Sequence, residues 1–126
     1  MPKVKDIMTT RNDLIILKRE ELVRQALDVI KDRHIHGVMV YPGSGFATWG
    51  IFTTSDAVSF KASHLDANRT TIGEVANPVM YSAQVDWDVD DCFKQMARNN
   101  VEHLPVIEAN GDLVGIVSST DLEPFL

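Results

Sequence analysis

Two short motifs hold the residue types best suited to chemistry. Gly50-Ile51-Phe52-Thr53-Thr54-Ser55-Asp56 and Gly115-Ile116-Val117-Ser118-Ser119-Thr120-Asp121 share one pattern: a glycine, two apolar residues, a hydroxyl, and an acid three residues further on. The glycine and apolar pair predict the end of a buried strand, and the hydroxyl falls where that strand opens into a helix. There a hydroxyl, the free N–H groups and the helix dipole can together hold a phosphate. Asp56 and Asp121, in the first helical turn, can accept both hydroxyls of a ribose, as an acid does in other nucleotide folds. The same spacing also makes a capping box, with the hydroxyl at the N-cap and the acid at N3. The pattern alone leaves both uses open.

Other chemistry has thinner support. His34 and His36 alternate at a helix-to-strand junction, without the cysteine pair or His-x-x-x-His spacing of a zinc site, so no metal is expected. Cys92 shares an apolar face with Val89, Phe93 and Met96 and reads as a small packed hydrophobe rather than a nucleophile. Asp86, Asp88, Asp90 and Asp91 cluster at a helix start, where acids suit the dipole, and Asp86 is expected to precede the helix as its cap. With no Gly-x-Ser-x-Gly, phosphate-loop or paired-acid motif, the chain is not expected to be an enzyme.

The elements that position the two motifs form an internal repeat. Val23, Ala26, Leu27 and Ile30 recur as Val89, Cys92, Phe93 and Met96 at an offset of 66, which also joins Ile35 to Val101, Val38 to Leu104 and Val40 to Val106. The motifs themselves lie 65 apart, so the first copy has one extra residue in the turn between its strands. At the front, Leu14-Ile15-Ile16-Leu17 aligns with Pro78-Val79-Met80-Tyr81 at an offset of 64. Agreement over several windows, with the changes of offset confined to loops, marks a duplication. The copies are read as 1–66, including an N-terminal lead-in, and 67–126, divided near Ala67-Asn68-Arg69-Thr70.

Each copy predicts the order β-α-β-β-α. A short strand (14–17, 79–81) leads to an amphipathic helix (20–33, 86–99), two strands (37–41 with 48–52, 103–107 with 113–117) and a closing helix (54–63, 119–125). Asn110-Gly111 signals a hairpin turn, and Pro42-Gly43-Ser44-Gly45 does so more loosely. The class is α/β in the broad sense, α+β in detail. Neither copy covers its short sheet alone, so the two are expected to pack as a pseudo-twofold pair with two equivalent clefts. Ala57, Val58, Phe60, Leu122, Phe125 and Leu126 on the closing helices exceed what one small sheet needs and point to a homodimer interface.

Length and composition fit this reading. The 126 residues carry 12 Lys+Arg and 18 Asp+Glu, a net charge of −6, with 44% hydrophobic residues. That describes one acidic globular body with its own core and little room for a separate catalytic domain. No apolar run approaches the roughly 20 residues of a membrane span, and the N-terminus lacks a signal-peptide stretch. The single Cys92 excludes an internal disulfide and fits a reducing cytoplasm. The acidic balance argues against binding to a nucleic-acid backbone.

The ordered, duplicated set of motifs resembles a tandem pair of CBS domains, the Bateman module. The residues that carry the resemblance are Val101-Glu102-His103-Leu104-Pro105-Val106-Ile107, Asn110-Gly111-Asp112 and the motif ending at Asp121. In the first copy they are Ile35-His36-Gly37-Val38-Met39-Val40 and the motif ending at Asp56, with Val4-Lys5-Asp6-Ile7-Met8-Thr9 as the lead-in. The resemblance implies a regulatory module that binds an adenosyl ligand (AMP, ADP, ATP, S-adenosylmethionine or NAD) in the clefts, requires no cofactor, forms flat homodimers and signals to an effector protein. It assigns Thr53 and Asp56 to one cleft and Ser118 and Asp121 to the other, with Ser55 and Thr120 secondary. Ile35-His36-Gly37 and Val101-Glu102-His103 would flank the clefts, with His103 near phosphate. The second copy follows the family pattern more closely. The first has Met39 in place of Pro105, Gly37 in place of His103, and Trp49, expected to pack, in place of Val114. The alternative is an interaction module with degenerate clefts.

Overall fold

The structure is a computed structural model that describes residues 2–43 and 48–126, so Ser44 and Gly45 of the first turn signal lie outside the described residues. In chain order the elements are α1 (Val4–Ile7), β1 (Thr9–Thr10), β2 (Ile16–Leu17), α2 (Val23–Arg33), β3 (Gly37–Val40), β4 (Gly50–Thr53), α3 (Thr54–Ala62), α4 (Ile72–Val75), β5 (Asn77–Pro78), α5 (Val89–Asn99), β6 (His103–Ile107), β7 (Leu113–Ser118) and α6 (Ser119–Leu122). This is a mixed α+β chain in two compact units. One comprises residues 15–79, the other residues 1–14 with 80–126.

In the 15–79 unit the described strands run β2-β3-β4-β5, with β2 parallel to β3 and the other pairs antiparallel. The apolar spacing of α2 brings Val23, Ala26 and Leu27 down onto Val38, Val40 and Phe52. In the other unit the order is β1-β7-β6, all antiparallel. Here Val89, Cys92 and Met96 of α5 meet Leu104, Val106 and Val117. Cys92 thus stands in the place of Ala26. Burial pushes its thiol up to about 11, which keeps it protonated at neutral pH as a packing residue.

The spatial grouping differs from the sequence halves. The lead-in of the first copy joins the second: β1 pairs with β7, Val4 N–H donates to Trp87 O at 2.8 Å, and Val89 N–H donates to Pro2 O at 3.1 Å. The segment before the second copy joins the first in the same way. Here β5 pairs with β4, Ile72 N–H donates to Glu21 O at 2.7 Å, and Val23 N–H donates to Thr70 O at 2.9 Å. Val4 and Ile72 are both fully buried, each in the core of the copy it does not precede in sequence. The helical lead-ins are therefore also duplicated, Val4–Ile7 matching Ile72–Val75. An acid closes each first turn: Asp6 accepts from Lys3 N–H, and Glu74 from Thr71 N–H and its hydroxyl. Those two bonds hold the Glu74 carboxyl below its usual range.

Several expectations need correction. No strand forms at 79–81, where Met80 and Tyr81 are exposed. The counterpart of Leu17 is Ala83, which is fully buried and bridges Val106 as Leu17 pairs with Val40, so the front offset is 66 rather than 64. The second copy keeps only this bridge because Pro105 has no N–H to match the one that Met39 donates to Ile15 O. Helices α2 and α5 begin later than expected. Asp88 rather than Asp86 is the N-cap of α5, and its carboxylate pairs with Lys3 at 2.9 Å instead of capping. The last helix stops at Leu122 and tightens to a 3-10 turn over Glu123–Phe125, since Pro124 cannot donate to the preceding turn. Of the expected interface residues, Ala57, Phe60 and Leu122 belong to the cores, while Val58, Phe125 and Leu126 are exposed.

Candidate functional site

Both motifs build the strand-to-helix junction expected of them. Thr53 ends β4 and is the N-cap of α3; Ser118 ends β7 and is the N-cap of α6. Both capping boxes are closed. Thr53 N–H donates to Asp56 Oδ2 at 2.8 Å, and Ser118 N–H donates to Asp121 Oδ2 at 2.8 Å. The Thr53 hydroxyl also donates to Asp56 Oδ2 at 3.0 Å. The capping use is thus present in both copies and occupies one oxygen of each acid.

The second oxygens differ. Asp56 Oδ1 accepts from the Asn77 side-chain amide at 2.9 Å. Among the described residues, Asp121 Oδ1 has no hydrogen-bond partner. Asn77 is a partner of the motif acid that the motif pattern did not reveal. It lies on β5 opposite Ile51, and the matching place beside Ile116 is held by Thr9. The signal was the second lead-in, Ile72-Gly73-Glu74-Val75-Ala76-Asn77, which follows the pattern of Val4–Thr9 without sharing its residues.

The flanking residues fall beside these junctions. Gly37 pairs with Thr53 across β3 and β4, and His103 pairs with Ser118 across β6 and β7. His36 O accepts from Thr54 N–H at 2.8 Å, and Glu102 O accepts from Ser119 N–H at 2.8 Å, so each flank is tied to the first turn of its closing helix. Ile35 and Val101 are half-buried against their cores. His36 and Glu102 are exposed and His103 half-buried. Ser55 and Thr120 are exposed and join neither set of hydrogen bonds. A side chain cannot simply be restored at position 37, where a Cβ would lie 2.8 Å from Phe52 O. Trp49 is buried and meets Tyr41 edge to face, with centroids 5.3 Å apart, so it packs within its own unit.

The motif glycines have a steric role. A Cβ on Gly115 would stand 2.6 Å from Thr9 O, and one on Gly50 would press on Val40 and Ala76. Each glycine lets a lead-in strand lie close against the strand that carries the motif. Gly115→Ala is expected to cost about 2–3 kcal/mol through forced displacement of β1, read as a lower midpoint in urea. Gly111→Ala, where a Cβ would meet nothing within 4 Å but φ is +91°, is expected to cost less.

Comparison with known proteins agrees with this architecture. The chain matches the CBS domain over residues 4–63 and again over 72–123. The 17.7 kDa protein of the bps2 3' region of Acidianus ambivalens is 31% identical over 120 residues, covering 95% of this chain and 70% of its own. The structure of CBSX2 in complex with AMP superposes with a TM-score of 0.83 at 19% identity, covering 99% of this chain and 96% of that one. The CBS domain pair of MJ0100, in complex with 5'-methylthioadenosine and S-adenosyl-L-methionine, gives 0.82 at 25% identity, covering 99% and 95%. The chain belongs to the CBS domain family and carries two copies of the domain. Among the described residues, no helix is long and apolar enough to cross a membrane.

Proposed function

We propose that this chain is a regulatory CBS pair whose second motif takes the ribose of an adenosyl ligand, with Asp121 as the accepting acid. The carrying observation is Oδ1 of Asp121, which has no hydrogen-bond partner among the described residues, in the first turn capped by Ser118, the cross-strand partner of His103. The capping bond fixes the carboxylate while leaving one oxygen for ribose hydroxyls. The Ser118 hydroxyl and His103 suit another polar group of the same ligand. AMP, named for CBSX2, and S-adenosylmethionine, named for MJ0100, lead the set to screen, which ADP, ATP and NAD complete. The ligand acts as a regulator rather than a cofactor, and no catalysis is proposed. A sole buried cysteine fits work in the cytoplasm.

Output would pass through a homodimer or an effector protein. Exposed Val58, Phe93, Phe125 and Leu126 support a protein contact, and they equally support the second reading, an interaction module without a ligand. A thermal-shift screen separates the two. A ligand at a hundredfold excess over its Kd is expected to add about 2.7 kcal/mol of stability. No shift with any of the five compounds would leave the interaction module.

A further inference from the structure

We propose that Asn77 keeps the first motif out of ligand recognition, by filling with its own amide the place on Asp56 where a ribose hydroxyl would donate. This rests on the adenosyl reading of the second motif and concerns the other one.

The chemistry of the two contacts is the same. A ribose hydroxyl and a carboxamide N–H are both neutral donors to a carboxylate, and the Asn77 bond at 2.9 Å has the length of a well-made one. The remaining oxygen of Asp56 already accepts from the Thr53 N–H and hydroxyl, so the acid has donors on both oxygens. A ribose hydroxyl must therefore share Oδ1 with the Asn77 amide or displace it, and competes with an internal donor in either case. At Asp121 it need not, since Thr9, at the place matching Asn77, makes no side-chain bond to that acid among the described residues. Intramolecular attachment favours the amide further. It is held by β5, whose pairing of Pro78 with Gly50 and of Asn77 with Ile51 fixes its reach to the first turn of α3. Gly37 points the same way, because the first motif lacks the cross-strand side chain that His103 gives the second. Asp56 in this view is a clamp that ties the strand between the copies to α3.

The test uses the full chain with AMP and, separately, S-adenosylmethionine, by titration calorimetry. Wild type is expected to bind one molecule per chain, and Asp121→Ala to lose it. Asn77→Ala is expected to gain a second event, about tenfold tighter than any residual binding at Asp56, which is the worth of one hydrogen bond to a carboxylate. Asn77→Thr, which copies Thr9 and keeps a strand-forming residue, is expected to do the same. Two equal events in wild type, or a single event unchanged by both Asn77 variants, would overturn the clamp and leave the adenosyl reading standing. Binding to none of the variants would overturn both. A ligand-free measurement separates the clamp further. One Asn77 side-chain amide proton is expected to resonate downfield of its geminal partner through its bond to Asp56, and to lose that displacement in Asp56→Ala. An Asn77 amide unchanged by Asp56→Ala would sink the clamp whatever the ligand does.

Discussion

Asp121→Ala is expected to erase most of the thermal stabilisation that an adenosyl ligand gives this chain, and Asp56→Ala to remove much less. Hydrogen bonds to a carboxylate contribute roughly 1.5–3 kcal/mol each, so losing the two from a ribose weakens binding by about a hundredfold or more. At a ligand concentration near a hundred times the wild-type Kd, that takes the stabilisation from about 2.7 kcal/mol toward zero. Both substitutions also open a capping box, which costs on the order of 1 kcal/mol in the free protein. The informative quantity is therefore the ligand-dependent increment in Tm, not Tm itself. Equal increments in the two variants would show that the motifs share the work, and a greater loss with Asp56→Ala would reverse their ranking.

The second large effect concerns the lead-in. A chain lacking residues 2–10 is expected to lose the fold of residues 80–126 while keeping that of 15–79. The deletion removes fully buried Val4, strand β1 and the bonds from Val4 and Lys5 N–H to Trp87 and Val85 O. It also strips Val89 N–H of its acceptor, Pro2 O. Burial of one valine contributes about 1.5–2 kcal/mol, and the exposed edge of β7 and the orphaned polar groups add to the loss. The total is at least about 3 kcal/mol, a large part of what a small unit has. Trp49 and Trp87 report on different units, so urea unfolding of chains that keep one tryptophan each reads them separately. Had the lead-in served the copy it precedes, the Trp49 signal would change instead.

Sequence reading captured the elements whose cause is local. The apolar spacing from Val23 to Ile30 and from Val89 to Met96 gave both long helices, and Asn110-Gly111 gave the hairpin whose Gly111 adopts φ +91°. The motif junctions were equally legible, because a hydroxyl and an acid at that spacing close a capping box whatever surrounds them. What escaped depended on distant partners. Met80-Tyr81 has the composition of a strand, yet the chain pairs at Ala83, because Pro105 removes the donor that would have set a longer ladder. The second lead-in was hidden because Val4–Thr9 and Ile72–Asn77 share a pattern of burial and capping rather than residues. Asn77 was invisible for the same reason: its meaning comes from β5 lying against β4, a pairing no local pattern announces.

The exchange of lead-ins also bears on how this chain would respond to cutting. The backbone leaves one unit after Leu14 and returns to it at Met80, so the units are joined by two covalent crossings. Tyr81, 47% exposed beside Met80 at 73%, sits at the second crossing and presents a cleavage point to chymotrypsin. A cut there gives the pieces 1–81 and 82–126; the first holds the whole 15–79 unit, and the other unit is split between the two. The 82–126 piece stays bound through β1 against β7 and Val4 in its core. The nicked protein is therefore expected to elute from a native sizing column with the intact chain, and to part into its fragments only in denaturant. Backbone continuity and structural integrity are decoupled at that crossing: one broken peptide bond leaves every packed surface in place.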